Sequence, residues 1–319
     1  MFIKKIIVGI EMPDQRPWRV GGLSDPTAAA MRQAFELAAA TNTAVELVTV
    51  LPESGMFDFG DAEAITAQVE QDRTDAATVL EQVRLAAIDD YNLSHDVGCT
   101  VTSGKPWEQL AKIAGTDSQN LLMCGTRDVD VVRRWLFGTT GLKLLRYAAC
   151  PVWLVRPPVE EKASLDVVAA TDLSEIGQQV IEAGVTIGRN LPARLTVLHV
   201  VDGDLDRHMA RTGVPEEELV AYRRQLREEA GVRVKDQLSL TDYRTVELGV
   251  QVQVSEGPAD SCVLSALEDL ETDLLILATS GRGGLPGMLF GTTAERLLPD
   301  IRCSLLLIKP QDAESPVQL

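Results

Sequence analysis

Apolar runs and helically spaced polar stretches alternate along this chain, predicting strand and helix in turn. Ile3–Ile10 is rich in β-branched residues and reads as a buried parallel strand. A polar connection bearing Pro and Gly, Glu11–Pro26, leads to Thr27–Thr41, where Met31, Ala34, Phe35 and Ala38 recur at helical spacing. Ala44–Leu51 predicts a second strand, Ala62–Tyr91 a long alanine-rich helix and Gly98–Thr102 a third strand. Gly104-Lys105-Pro106 then turns into a helix carrying Trp107, Leu110 and Ile113, followed by strands at Leu121–Cys124 and Val152–Val155.

The plan then repeats. Strands are predicted at Asp166–Ala170, Leu195–Val201, Val250–Val254, Leu274–Leu277 and Ser304–Ile308. Helices are predicted at Ser174–Asn190, Pro215–Leu240, Asp260–Leu270 and Thr292–Pro299. The repetition is literal in places: Phe137–Pro157 aligns on Phe290–Pro310 at a constant offset of 153, sharing FGTT, Leu144, Leu145, Cys150, Leu154 and Pro157. Val101 and Gly104 keep the same offset to Val254 and Gly257. A register held that long is an internal duplication. The expected domains are 1–157 and 158–319, the second with a short C-terminal tail. Alternating strand and helix implies two tandem α/β units, each a doubly wound, five-stranded, mostly parallel sheet. Ligands in such sheets sit at the carboxyl ends of the strands, near the switch in strand order.

Composition narrows the function classes. The 319 residues carry a formal charge of −17, which argues against a nucleic-acid partner or an anionic membrane surface. Only eight of the 30 basic residues are lysine, an acidic, lysine-poor balance that fits a cytoplasm with high salt. Five cysteines form no CxxC pair, and Cys124 and Cys150 read as small core residues. Three separated histidines give no zinc spacing, and His199 reads as a packed strand histidine. The N-terminal apolar run stops at Glu11, too short for a signal peptide, and no stretch reaches the ~20 apolar residues of a membrane span. A soluble cytoplasmic protein is expected.

The candidate chemistry lies in Ala278–Pro310, where a glycine-rich loop leads through Gly291-Thr292-Thr293 into a helix. A helix start exposes backbone N–H groups and attracts phosphate; the alternative is an ordinary N-cap. Together with the Val168–Ser174 strand–Asp–x–Ser start, the Val254–Gly257 turn and the LLLIKP end, this element resembles the universal stress protein family in its tandem two-domain form, typified by the bacterial E-type member. The resemblance covers nearly the whole chain. The family's nucleotide motif is G-x2-G-x9-G-[ST]. The second half reads Ala278-x2-Gly281-x9-Gly291-Thr292, and the first reads Gly125-x2-Asp128-x9-Gly138-Thr139. Alanine adds one methyl. Asp128 sets a carboxylate where phosphate approaches, and a like-charge pair at ~4 Å costs ~4 kcal/mol at an effective dielectric near 20. Nucleotide binding is therefore expected in the second half alone.

The resemblance implies a site for ATP, accompanied by Mg2+ on its phosphates. Asp172 would meet the base or ribose, Val200 would flank the adenine, and Gly281, Gly291, Thr292 and Thr293 would cradle the phosphates. Arg282 would pair with an outer phosphate; Ala170, Thr171, Ser174, Leu277, Ala278 and Ser280 complete the expected set. Asp172 and Ser174 fit plain capping of the next helix equally well. No positioned base accompanies these residues, so at most slow hydrolysis is implied. Two readings stay open: an ATP-binding stress-response regulator, and a scaffold with both sites silent, each serving an unidentified protein partner. Family members commonly pair through their last strands. Val152–Val155 and Ser304–Ile308 are thus expected to make a pseudo-dimer within the chain, with homodimerisation of whole chains left open. A dehydrogenase or kinase is disfavoured, because no glycine fingerprint follows Ile3–Ile10 or Asp166–Ala170.

Overall fold

Ile6, Ile7 and Val8 are almost wholly buried, as are Val167, Val168 and Ala169 in the counterpart strand, and around such strands the chain winds twice. The structure is a computed structural model describing residues 2–53, 62–93, 96–126, 138–160, 162–201, 215–279 and 291–310. The described chain divides into two compact units, Phe2–Val159 and Glu160–Pro310.

The first domain contains β1 (Lys5–Ile10), α1 (Asp25–Thr41), β2 (Ala44–Leu51), α2 (Ala62–Tyr91), β3 (Val97–Ser103), α3 (Pro106–Ala114), β4 (Leu121–Gly125), α4 (Gly138–Tyr147) and β5 (Val152–Val155). Its strands lie in the order β3-β2-β1-β4-β5, and every pairing is parallel. The second contains β6 (Leu165–Thr171), α5 (Glu175–Asn190), β7 (Ala193–Val201), α6 (Glu216–Ser239), β8 (Val250–Glu256), α7 (Ala259–Asp269), β9 (Leu274–Ala278), α8 (Thr292–Leu297) and β10 (Ser304–Ile308). Its order is β8-β7-β6-β9-β10, again all parallel. In each domain the order reverses beside the first strand, at β1–β4 and β6–β9. Such a switch opens a crevice at the carboxyl ends of the strands.

Local sequence explains the helix ends. Ser24 caps α1 by accepting from Thr27 N–H, and Asn42 ends it in the left-handed conformation at φ 56°. Met31, Ala34, Phe35 and Ala38 are all buried, as their spacing predicted. Gly104 and Gly257, 153 apart, turn out of β3 and β8 at φ 134° and 136°, a conformation that favours glycine.

The boundaries shift where pairing partners, rather than composition, decide them. β8 runs to Glu256 instead of Val254, because Ser255 and Glu256 pair with Val200 and Val201. β6 reaches Thr171, which pairs with His199. α8 ends at Leu297, short of the expected Pro299, a residue without an N–H to continue the ladder.

Candidate functional site

The carboxyl rim of the second sheet gathers most of the residues expected at a ligand site. Ala169 lies opposite Ile276 across β6–β9, Thr171 opposite His199 across β6–β7, and Ala278 opposite Ile308 across β9–β10. Parallel pairing therefore brings Ala170, Thr171, Val200, Leu277 and Ala278 to one edge. Thr171 and Leu277 are buried, while Ala170, Val200 and Ala278 stay partly accessible.

Past β6 the chain turns tightly into α5. Leu173, at φ 62°, donates its N–H to Thr171 Oγ1 at 3.0 Å. Asp172 Oδ1 accepts from Ser174 N–H at 3.0 Å and from Ser174 Oγ at 2.5 Å. Ser174 Oγ in turn accepts from Gly177 N–H at 3.2 Å, capping α5. A Cβ on Gly177 would fall 2.6 Å from Thr171 Oγ1 and 2.7 Å from Asp172 Oδ1, so the turn needs glycine there for room. These bonds describe capping, with Asp172 bracing Ser174. They also place the Asp172 carboxylate at the rim, over the first turn of α5.

His199, buried in β7, closes the same corner. Its Nδ1 lies 2.8 Å from the Thr171 carbonyl oxygen. A carbonyl only accepts, so Nδ1 carries the proton. The histidine is a packed, hydrogen-bonded strand residue, as read from the sequence.

The helix start at Gly291 is tied back to β9. Gly291 donates its N–H to the Thr279 carbonyl at 2.5 Å, and Thr279 N–H donates to Ile308 O at 3.0 Å. The Gly291 N–H therefore bonds back to the residue that follows β9. What α8 presents instead are the N–H groups of Thr292, Thr293 and Ala294. They precede the first intrahelical bond, from Glu295 N–H to Gly291 O at 3.0 Å, and Gly291 offers no side-chain cap. Thr292 and Thr293 are exposed. Ser280, Gly281 and Arg282 lie outside the described residues, as does Asp128.

Two residues at this rim escaped the sequence reading. Thr279, 4% exposed, anchors the loop from both its backbone groups; its counterpart Thr126 donates likewise to Val155 O at 2.8 Å. The signal was the shared threonine at offset 153. Glu256, at the end of β8 beside Val201, lies 3.2 Å from Arg223 Nε and 3.8 Å from Arg227 Nε of α6. Among the described residues no group of three His, Cys, Asp or Glu side chains gathers as a metal site.

The first domain builds its corresponding rim differently. Between β1 and Ser24 stands a long connection instead of the tight turn. Arg16 ties it to α2 through Asp72 and, at 3.6 Å, Asp75, while its guanidinium lies 4.3 Å from the Trp18 ring centroid. Trp18 Nε1 donates to Pro13 O at 2.8 Å. Gly125, the first glycine of the motif, faces the start of α1. A Cβ there would strike the Pro26 carbonyl and lie 2.8 Å from Pro26 Cβ.

Comparison with known proteins agrees with this architecture. The universal stress protein family model matches residues 3–156 and again 165–309. Among individual relatives, universal stress protein E of Salmonella typhi is 24% identical over 226 residues, covering 69% of this chain and 70% of that protein. A universal stress protein E homolog of Haemophilus influenzae is 26% identical over 204 residues, covering 61% of this chain and 63% of its own length. Among solved structures, a universal stress protein from Archaeoglobus fulgidus shares the fold at a TM-score of 0.63, with 16% identity over 96% of this chain and 98% of that one. Among the described residues no helix is long and apolar enough to cross a membrane. Matched twice by one family over nearly its whole length, the chain belongs to the universal stress protein family.

Proposed function

We propose that the protein is a stress-response regulator whose second domain binds an adenine nucleotide, ATP first among them, without efficient catalysis. The observation that carries this reading is the start of α8 at the rim, where Gly291 gives no side-chain cap and Thr292 and Thr293 are exposed. Such N–H groups and hydroxyls suit phosphate oxygens. The tight turn sets Asp172 on the same rim, where its carboxylate would meet a ribose or base, and Val200 offers an apolar edge beside it. Gly281 and Arg282 complete the phosphate loop in this reading. Magnesium arrives on the phosphates.

The first domain serves in another capacity. Asp128 stands in its motif, and the connection braced by Arg16 replaces the tight turn. A silent second site is the competing reading. It is favoured by the engagement of Gly291 N–H with Thr279 and of Asp172 Oδ1 with Ser174. Calorimetric titration of the full chain with ATP, with and without magnesium, decides between them. One site per chain supports nucleotide regulation, and no heat up to millimolar ATP supports the scaffold.

A further inference from the structure

The duplication provides an internal control for surfaces, because positions in these helices have counterparts 153 residues on. Helix α3 packs on α4 in the first domain, and α7 on α8 in the second. The same pair of positions meets in both. Lys143 Nζ lies 5.1 Å from the Trp107 ring centroid, and Arg296 Nη1 lies 3.9 Å from Asp260 Oδ2. A cation crosses between the helices each time, but in the first domain it meets an indole where the second has a carboxylate.

The difference extends along both segments of each pair. Segments 105–114 and 138–147 carry Lys105, Lys112, Lys143 and Arg146 against Glu108, a formal +3 from 4 − 1. Counterpart segments 258–267 and 291–300 carry Arg296 against Asp260, Glu295 and Asp300, a formal −2 from 1 − 3. Three of the eight lysines in a chain of charge −17 thus collect on one helix pair. Tyr147, whose counterpart is Asp300, packs against Trp107 with ring centroids 5.3 Å apart and the planes tilted by 43°. Both rings are only partly covered, whereas the core face of the pair is made by Leu110 and Leu144. Glu108 lies between Lys105 and Lys112, at 3.9 and 3.7 Å.

A partly exposed, tilted Trp–Tyr pair beside Lys143, on helices that also carry Lys105 and Lys112, has the make-up of an interface hot spot for a complementary acidic surface. The strongly negative molecule as a whole repels long polyanions. A short segment engages the local field alone. We propose that the α3–α4 face of the first domain is a docking surface for an acidic peptide segment of a partner protein. A large apolar side chain of that segment seats on Trp107 and Tyr147, and flanking carboxylates pair with Lys105, Lys112 and Lys143. The proposal stands independently of nucleotide binding.

The test is fluorescence anisotropy of a labelled peptide in which glutamates flank one phenylalanine, titrated with the full chain at low and physiological salt. The expected result is saturable, salt-sensitive binding that Trp107→Ala and Lys143→Glu each weaken about tenfold or more. Trp107→Phe restores most of it, and Asp260→Ala in the second domain leaves it unchanged; denaturation curves confirm that each variant folds. Absence of saturable binding overturns the proposal, as does equal affinity for Lys143→Glu and the parent chain. Preferred binding of a single-stranded oligothymidylate overturns it in favour of nucleic acid. Self-association in sedimentation runs that Lys143→Glu abolishes overturns it in favour of a second copy.

Discussion

Thr49 and His199 occupy the same register position in the two domains, and each donates a side-chain hydrogen bond to the carbonyl opposite. Thr49 Oγ1 donates to Ile10 O at 2.9 Å, and His199 Nδ1 to Thr171 O at 2.8 Å. Each first strand ends on a carbonyl that accepts a side-chain donor from the neighbouring strand, in addition to its place in the parallel ladder. Two different side chains have met one backbone requirement.

Loss of either donor removes one hydrogen bond to a buried carbonyl, at a cost of about 0.5–1.5 kcal/mol. Thr49→Val keeps the shape and removes only the hydroxyl; His199→Phe does the same for the ring nitrogen. All four tryptophans (Trp18, Trp107, Trp135 and Trp153) lie in the first half of the chain, so their fluorescence follows that domain. Urea titration should show an earlier fluorescence transition for Thr49→Val and an unchanged one for His199→Phe, with both transitions visible by circular dichroism. A fluorescence midpoint unmoved by Thr49→Val refutes the role given to that hydroxyl.

Gly125→Ala and Ala278→Gly exchange the residues at one motif position, and opposite behaviour is expected. The new methyl at 125 meets the Pro26 backbone, which yields only if α1 moves; overpacking of this kind costs about 1–3 kcal/mol. Glycine at 278 costs only the ~0.5–1 kcal/mol of added chain freedom. Urea midpoints, read by fluorescence for the first variant and by circular dichroism for the second, measure the contrast.

The same glycine shows where sequence reading reached its limit. By sequence Gly125 belongs to a phosphate motif, but the requirement visible in the fold is room for the Pro26 carbonyl. That neighbour lies 99 positions away in sequence, as the numbering gives directly. The buried strands were legible because Ile6–Val8 and Val167–Ala169 are apolar on both faces, as parallel strands must be. Their last residues were not, since Thr171 and Glu256 join the ladder only through His199 and Val201. The Thr279–Gly291 bond joins two backbone groups across a loop and leaves no compositional trace. The charge reversal between α3–α4 and α7–α8 was written in the sequence throughout, in the positions where the repeats differ.

The cysteines should separate cleanly by reactivity. Cys124, wholly buried, has its thiol pushed up to about 12 by that burial, so almost no thiolate forms at neutral pH. Cys99 is exposed on β3, yet partial burial of its thiol, with Glu81 and Glu46 nearby, also holds its pKa above the ordinary value. Native protein treated with a thiol-reactive dye should therefore label Cys99 and the partly accessible Cys262 slowly at neutral pH and faster as pH rises, while Cys124, Cys150 and Cys303 wait for unfolding. If the double variant Cys99→Ser/Cys262→Ser leaves the early labelling phase intact, the assignment is wrong.

Thr292→Asp and Thr139→Asp form the matched pair that tests which helix mouth receives phosphate. Glycine substitutions would be less clean: Gly291 has an ordinary extended backbone, but Gly138 sits at φ 60°, where any side chain adds strain of ~1–2 kcal/mol. Aspartate in a first helical turn favours the helix dipole by ~0.3–1 kcal/mol, so neither variant should unfold its domain. Against a bound phosphate, however, the new carboxylate brings ~4 kcal/mol of like-charge repulsion at close range. At a hundredfold excess over its dissociation constant, ATP adds ~2.7 kcal/mol of stability, readable as a rise in melting temperature. Thr292→Asp should remove that rise and Thr139→Asp should preserve it. The reverse pattern would move the nucleotide to the first domain, because the two substitutions differ only in which copy of the duplicated helix start receives the charge.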